Sequence, residues 1–145
     1  MFKSLKTLFA ASSDEVPSLD SRTAVAALLV RAAKSEGTYS YEDIRAIDRS
    51  LARHFGLNVV EAMKLRAAGE KLERAEVDPQ SMIVAIRDAL APEERFGVLS
   101  GLWEVVLTNE TRTERNDDLL TKARRGFGIR RAEAQVAREH AIASM

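Results

Sequence analysis

With 145 residues, 46% of them hydrophobic and 30% charged, the chain has the length of one ordinary domain, able to bury a core without disulfides or structural metal. Its 22 basic and 22 acidic residues balance, which excludes a whole-molecule field steering it to nucleic acid, and no nucleic-acid partner is expected. The sequence holds no cysteine, excluding a disulfide framework, a thiolate zinc site and a cysteine nucleophile; the cytoplasm is the simplest compartment.

Phe2, Leu5, Leu8 and Phe9 recur at helical spacing over residues 1–11, with Lys3, Lys6 and Thr7 on other faces. The pattern is that of a short amphipathic helix, too short for a signal-peptide core or a bilayer span. Its apolar stripe suits either docking on the domain or weak attachment to a membrane surface. The polar stretch 12–18, with Pro17, reads as a linker, so residues 1–19 are expected to be an N-terminal segment and residues 20–145 a helical domain.

Residues 24–33 are apolar at every position except Arg31, and a helix that is apolar nearly all round belongs in the centre. Ser40 followed by Asp43 resembles a capping box opening a helix with Ile44, Ile47, Leu51 and Phe55, which ends at Gly56. Asn58 and Glu61 open the next, whose exposed face holds Glu61, Lys64, Glu70 and Arg74 at pairable spacing. Asp78 and Pro79 start another that reaches about Leu90 through Met82, Ile83 and Ile86. Pro92, Glu93 and Glu94 begin a second nearly all-apolar segment, 96–107, where Gly97, Ser100 and Gly101 leave room for a close neighbour and Trp103 supplies a large buried anchor. Only three prolines and seven glycines stand beside many Ala, Leu, Arg and Glu. The expected fold is all-α: a single globular bundle of about six or seven helices around two buried central helices that touch.

The chain also repeats itself. Ser35-Glu36-Gly37-Thr38, Ser40-Tyr41-Glu42-Asp43 and Phe55-Gly56-Leu57 return as Thr108-Asn109-Glu110-Thr111, Thr113-Glu114-Arg115-Asn116 and Phe127-Gly128-Ile129. The offset is about 72 or 73, with a one-residue change expected in the polar loop, where such changes are most easily tolerated. Internal duplication is the economical explanation.

The order of a central helix, the Glu36-Gly37 loop, Phe55-Gly56-Leu57, Asp78-Pro79, Ala91-Pro92-Glu93-Glu94-Arg95 and Leu102-Trp103-Glu104-Val105 resembles the tellurite-resistance TerB family over roughly residues 20–134. The resemblance implies a non-enzymatic helical module acting in tellurite and metal-stress resistance, in the cytoplasm or peripheral to the inner membrane, as part of a larger protein complex. It also implies a metal site at the turns that follow the central helices. Carried onto this chain, the first turn is Ser35-Glu36-Gly37 with Glu42 and Asp43 downstream. The second is Thr108-Asn109-Glu110 with Glu114 downstream, departing from the family's Ala-Asp-Gly pattern.

Were the halves to pack about a pseudo-twofold axis, Glu36, Glu42, Asp43, Asn109, Glu110 and Glu114 could converge as oxygen ligands for calcium, magnesium or manganese. The same acids also suit helix N-termini as plain caps, and the spacing is not that of an EF-hand loop. His54 and His140 stand far apart with no triad motif and are expected in surface or cap roles. Lys122, Arg124, Arg125, Arg130 and Arg131 form a basic cluster suited to phosphate, anionic lipid or an acidic protein, or else to a solvated helix face. The alternative to a cation-binding module is a structural adaptor without a metal site, reaching a protein partner or membrane through this cluster or through Phe2 to Phe9.

Overall fold

A computed structural model describes residues 18–35, 37–108 and 114–145, leaving aside the side chains of 114 and 115; the amphipathic segment 1–11 and most of the linker lie outside them. Among the described residues there are seven helices and no strand: α1 Ser21–Lys34, α2 Tyr41–Phe55, α3 Val59–Arg74, α4 Pro79–Ala89, α5 Pro92–Thr108, α6 Glu114–Gly126 and α7 Arg131–Ser144. The helix starts follow from local chemistry. Asp20 accepts from the Thr23 amide at 2.9 Å, Asn58 from that of Glu61 at 2.8 Å and Asp78 from that of Ser81 at 2.9 Å, each satisfying an amide that the first turn leaves without a partner. Gly56 and Gly128 end α2 and α6 at φ of +63° and +72°, and Leu57 and Ile129 donate back to the carbonyls of Ala52 and Arg124.

Helices α1 and α5 form the centre. Buried on α1 are Ala24, Val25, Leu28, Leu29 and Val30; on α5, Val98, Leu99, Leu102, Trp103 and Val105. The two pack on each other, α3 covers α1 and α7 covers α5. The duplication therefore extends through a third helix: α1, α2 and α3 answer to α5, α6 and α7, with α4 as the connector. Matching capping contacts support this, since the Asn58 amide donates to Glu61 and the Arg130 amide to Glu133.

The internal register corrects one expectation. Asp43, Ala46, Ile47 and Ser50 are buried on α2, as are Asn116, Leu119, Leu120 and Ala123 on α6, each pair 73 positions apart. The same spacing relates Arg22, whose guanidinium lies 5.0 Å from the Phe55 ring centre, to Arg95, which donates to the Phe127 carbonyl at 2.9 Å. Only beyond Ser50 and Ala123 does the spacing fall to 72, at the glycine termini. The one-residue change thus lies in the last turns of α2 and α6, not in the polar loop. The helices keep their buried faces in register and absorb the difference where they end.

Close approach is greatest between α1 and α3. A β-carbon on Gly69 would come within 2.6 Å of Ala26 Cβ and 2.8 Å of the Ala27 backbone nitrogen, so only hydrogen fits there. Gly97 and Gly101 of α5 face α2 instead: added β-carbons would meet His54 at 3.0 Å and Ser50 Oγ at 2.5 Å. Gly69→Ala should cost about 1–3 kcal/mol through overpacking, despite alanine's better helix propensity, lowering Tm by about 4 °C per kcal/mol. Thermal unfolding of the variant is the check; unchanged or raised stability would mean that α1 and α3 can separate without cost.

Candidate functional site

Three places in the molecule concentrate chemistry. The first is the end of the bundle where the halves meet. Ser35, the C-cap of α1, donates its hydroxyl to the Ala32 carbonyl at 2.7 Å and meets the side-chain amide of Asn116 on α6. Gly37 then turns the chain at φ +85°, a conformation that glycine adopts without strain. The Tyr39 hydroxyl donates to Glu70 at 2.6 Å, fastening the loop to α3; burial and that carboxylate hold the phenol above its usual range, so it stays protonated. At Ser40 the capping box forms fully, the Asp43 amide donating to Ser40 Oγ at 3.1 Å and the Ser40 amide to Asp43 Oδ2 at 2.9 Å.

Of the six acids and amides expected to gather around a cation, Glu36, Asn109 and Glu110 lie outside the described residues, as does the side chain of Glu114. Glu42 is exposed on the first turn of α2, whereas Asp43 is fully buried as the third residue of its capping box. Among the described residues no three His, Asp or Glu side chains form a group able to hold a metal ion. The Ser35–Asn116 contact does bring the start of the first loop against the first turns of α6, just after the second. The donor set is wholly oxygen, the chemistry of a hard divalent cation.

The second place is a cleft of about 310 Å³ between α2, α5 and α7. Both histidines line it, with Glu94 and Glu104. Glu104, buried in the middle of α5, lies 3.0 Å from Arg53 Nη2. His140 Nδ1 is 3.3 Å from Ser100 Oγ, but that hydroxyl also lies 3.2 Å from the Ala137 carbonyl, to which it donates, so it is held as a helix contact. Among the described residues His54 Nε2 is buried without a hydrogen-bond partner, and burial pushes the imidazole below its usual pKa against a smaller opposing pull from Glu94. Sequence spacing does not reveal that the two histidines share a cleft. A signal for Glu104 is there, however, because it is the one charge within the apolar run 96–107.

The third place is a cleft of about 420 Å³ bounded by α1, α3, α4 and α6. Arg31, Lys34, Glu73, Asp118 and Lys122 line it, and Lys34 pairs with Glu73 at 3.3 Å. It takes one member of the basic cluster read from the sequence, Lys122. Of the others, Arg124 donates to the Ile129 carbonyl at 2.9 Å and so braces the end of α6, while Arg130 pairs with Glu133 at 3.0 Å.

Among the described residues, seven helices in which two three-helix units pack together through their buried first helices define a duplicated helical module. The family model for "Tellurite resistance protein TerB" matches residues 22–139, and the chain belongs to that family. Comparison with curated proteins and with solved structures gave no match.

His54 yields a prediction with a definite sign. Its folded-state pKa is depressed, so the folded protein binds fewer protons than the unfolded chain below about pH 6.5, the unfolded imidazole's value. The contribution to stability is complete above that pH and is lost as pH falls through the folded-state value. Denaturant unfolding at several pH values should show this acid limb, and His54→Gln should flatten it. An unchanged slope in the variant would place the proton uptake on other groups.

Proposed function

We propose that this chain is a non-enzymatic TerB module that works in the cytoplasm or at the inner membrane surface, as one component of a tellurite- and metal-stress assembly, and that it binds a divalent cation through its acidic loops. Family membership supports the resistance role. The single observation that carries the cation reading is the junction of Ser35 with Asn116, which brings the end of α1 against the first turn of α6. Glu36, Glu42, Asp43, Asn109, Glu110 and Glu114 would hold the ion, which when bound would neutralise carboxylates that otherwise repel one another. Calcium, magnesium and manganese all suit oxygen donors. Ser100, whose hydroxyl is committed to a helix carbonyl, supports the absence of a hydrolytic centre.

The alternative, an adaptor without metal, is favoured by a different observation. Val59, Val60 and Met63 are exposed side by side on the first turns of α3, and such a stripe suits a partner protein. No helix among the described residues is long and apolar enough to cross a membrane, so a membrane contact through them would be peripheral.

Thermal unfolding of metal-stripped protein with and without calcium, magnesium or manganese separates the two readings. An ion at about 100 times its Kd stabilises the fold by about 2.7 kcal/mol, several degrees in Tm. Glu36→Gln with Glu42→Gln, which leaves the capping box intact, should abolish most of that shift, and Asp43→Asn should reduce it further. No shift with any of the three ions would reduce the loop acids to caps and leave the adaptor.

A further inference from the structure

The two central helices each carry one charge inside their apolar stretch, and the two charges occupy equivalent positions. Arg31 on α1 and Glu104 on α5 stand 73 positions apart, the spacing that also relates Val25 to Val98, Leu29 to Leu102 and Ser35 to Thr108. Each charge opens into the cleft where the central helix of one half faces the second helix of the other: Glu104 toward α2, Arg31 toward α6. Their environments differ in one respect. Glu104 has its counterion, since Arg53 of α2 reaches it at 3.0 Å. Arg31, half-buried, makes no ion pair or hydrogen bond through its side chain among the described residues, and neither does Lys122 across the cleft on α6.

We propose that the cleft over Arg31 binds a small doubly charged oxyanion, a phosphate or the phosphate group of a small molecule, held by Arg31 and Lys122. Three cations and two carboxylates line it, and Lys34 already neutralises Glu73 at 3.3 Å. Of the two carboxylates that line the cleft, Asp118 is then the one with no ion pair among the described residues, and Arg31 and Lys122 against it leave a net positive charge. A guanidinium offers parallel N–H donors that match two oxygens of one phosphate, and a lysine ammonium adds a mobile point charge. Half-burial of Arg31 limits the screening that an exposed cation suffers, while Lys122 on the open side of the cleft is exposed and adds the weaker contact. The volume, about 420 Å³, exceeds what bare phosphate fills, which favours a phosphorylated small molecule over the free ion.

Titration of the full-length protein with inorganic phosphate and with glycerol phosphate, in a chelating buffer at constant ionic strength set with chloride, tests this independently of any cation site. Calorimetry and backbone amide shifts are the readouts. Saturable binding of both is expected, with amide shifts centred on 31–35 and 118–122 and the ester binding more tightly. Arg31→Gln should weaken binding about 10- to 100-fold, the effect of losing charge-assisted hydrogen bonds, and Lys122→Gln should weaken it less.

Asp118→Asn distinguishes a ligand site from a merely structural cluster, because removing the repelling carboxylate should tighten phosphate binding several-fold. The proposal is overturned by non-saturable binding, by shifts that chloride alone reproduces, or by an Asp118→Asn variant that loses stability without gaining affinity. That last result would make Asp118 the internal counterion of Arg31. Thermal unfolding of each variant guards against misfolding: an unfolded Arg31→Gln would be replaced by Arg31→Lys, which keeps the charge, loses the fork and should still bind more weakly.

Discussion

Burying α1 on nearly every face imposes a condition that the rest of the molecule has to meet. A helix with so little solvated surface needs neighbours on all sides, and α3, α4, α5 and α2 supply them. It also needs one of those neighbours to come very close, because a run of alanines leaves little side chain to fill the gap. Gly69 permits that approach, its missing β-carbon taken up by Ala26 and the Ala27 backbone. Small residues on both helices thus replace side-chain bulk with backbone contact, at the packing density that protein interiors maintain. The equivalent α5 meets the condition with large residues, Leu99, Leu102 and Trp103, under a helix α7 that buries Ala137 and Ala141. The same architecture is therefore filled in two ways, small against small in one half and large against small in the other.

Much of this was legible in the sequence because it rests on local rules. Ser40, Asn58 and Asp78 cap the helices they precede, and Gly56 and Gly128 adopt the left-handed conformation that helix ends favour. The apolar runs 24–33 and 96–107 mark the central pair by hydropathy alone. The duplication was visible in its loops and its Phe-Gly turns but not in its third helix. There the identities thin to Glu61 with Glu133, Ala62 with Ala134 and Arg66 with Arg138, and what persists is the packing of α3 on α1 and of α7 on α5. Register within α2 and α6 was misjudged for a related reason: the aligned phenylalanines Phe55 and Phe127 follow the turns, while the buried faces follow Asp43 and Asn116.

The chemistry was less legible because it depends on contacts between halves. His54 and His140 belong to α2 and α7 and meet only through α5, so no spacing in the chain relates them. Arg31 and Glu104 were each conspicuous as a charge in an apolar run, yet only the fold pairs one with Arg53 and leaves the other without a partner among the described residues. Asp43 illustrates the reverse case. Expected as a ligand or as a cap, it caps its helix, and the fold buries it completely in that role.

Duplicated domains start with equivalent sites and can lose the equivalence one residue at a time. A charge in the middle of a buried helix is costly unless something compensates it. Opposite signs at the equivalent positions 31 and 104 mean that the two halves cannot use one solution. The acid found an arginine on the helix that faces it, and the pair closes its cleft electrostatically. The arginine faces α6, which presents Asp118 and Lys122 four positions apart, so the single acid there is set against two cations and cannot neutralise both. Keeping both cations toward one cleft makes structural sense if the compensating charge is not part of the chain. In that reading the half that lost its internal counterion is the half able to respond to a solute, and the half that kept it holds the bundle together.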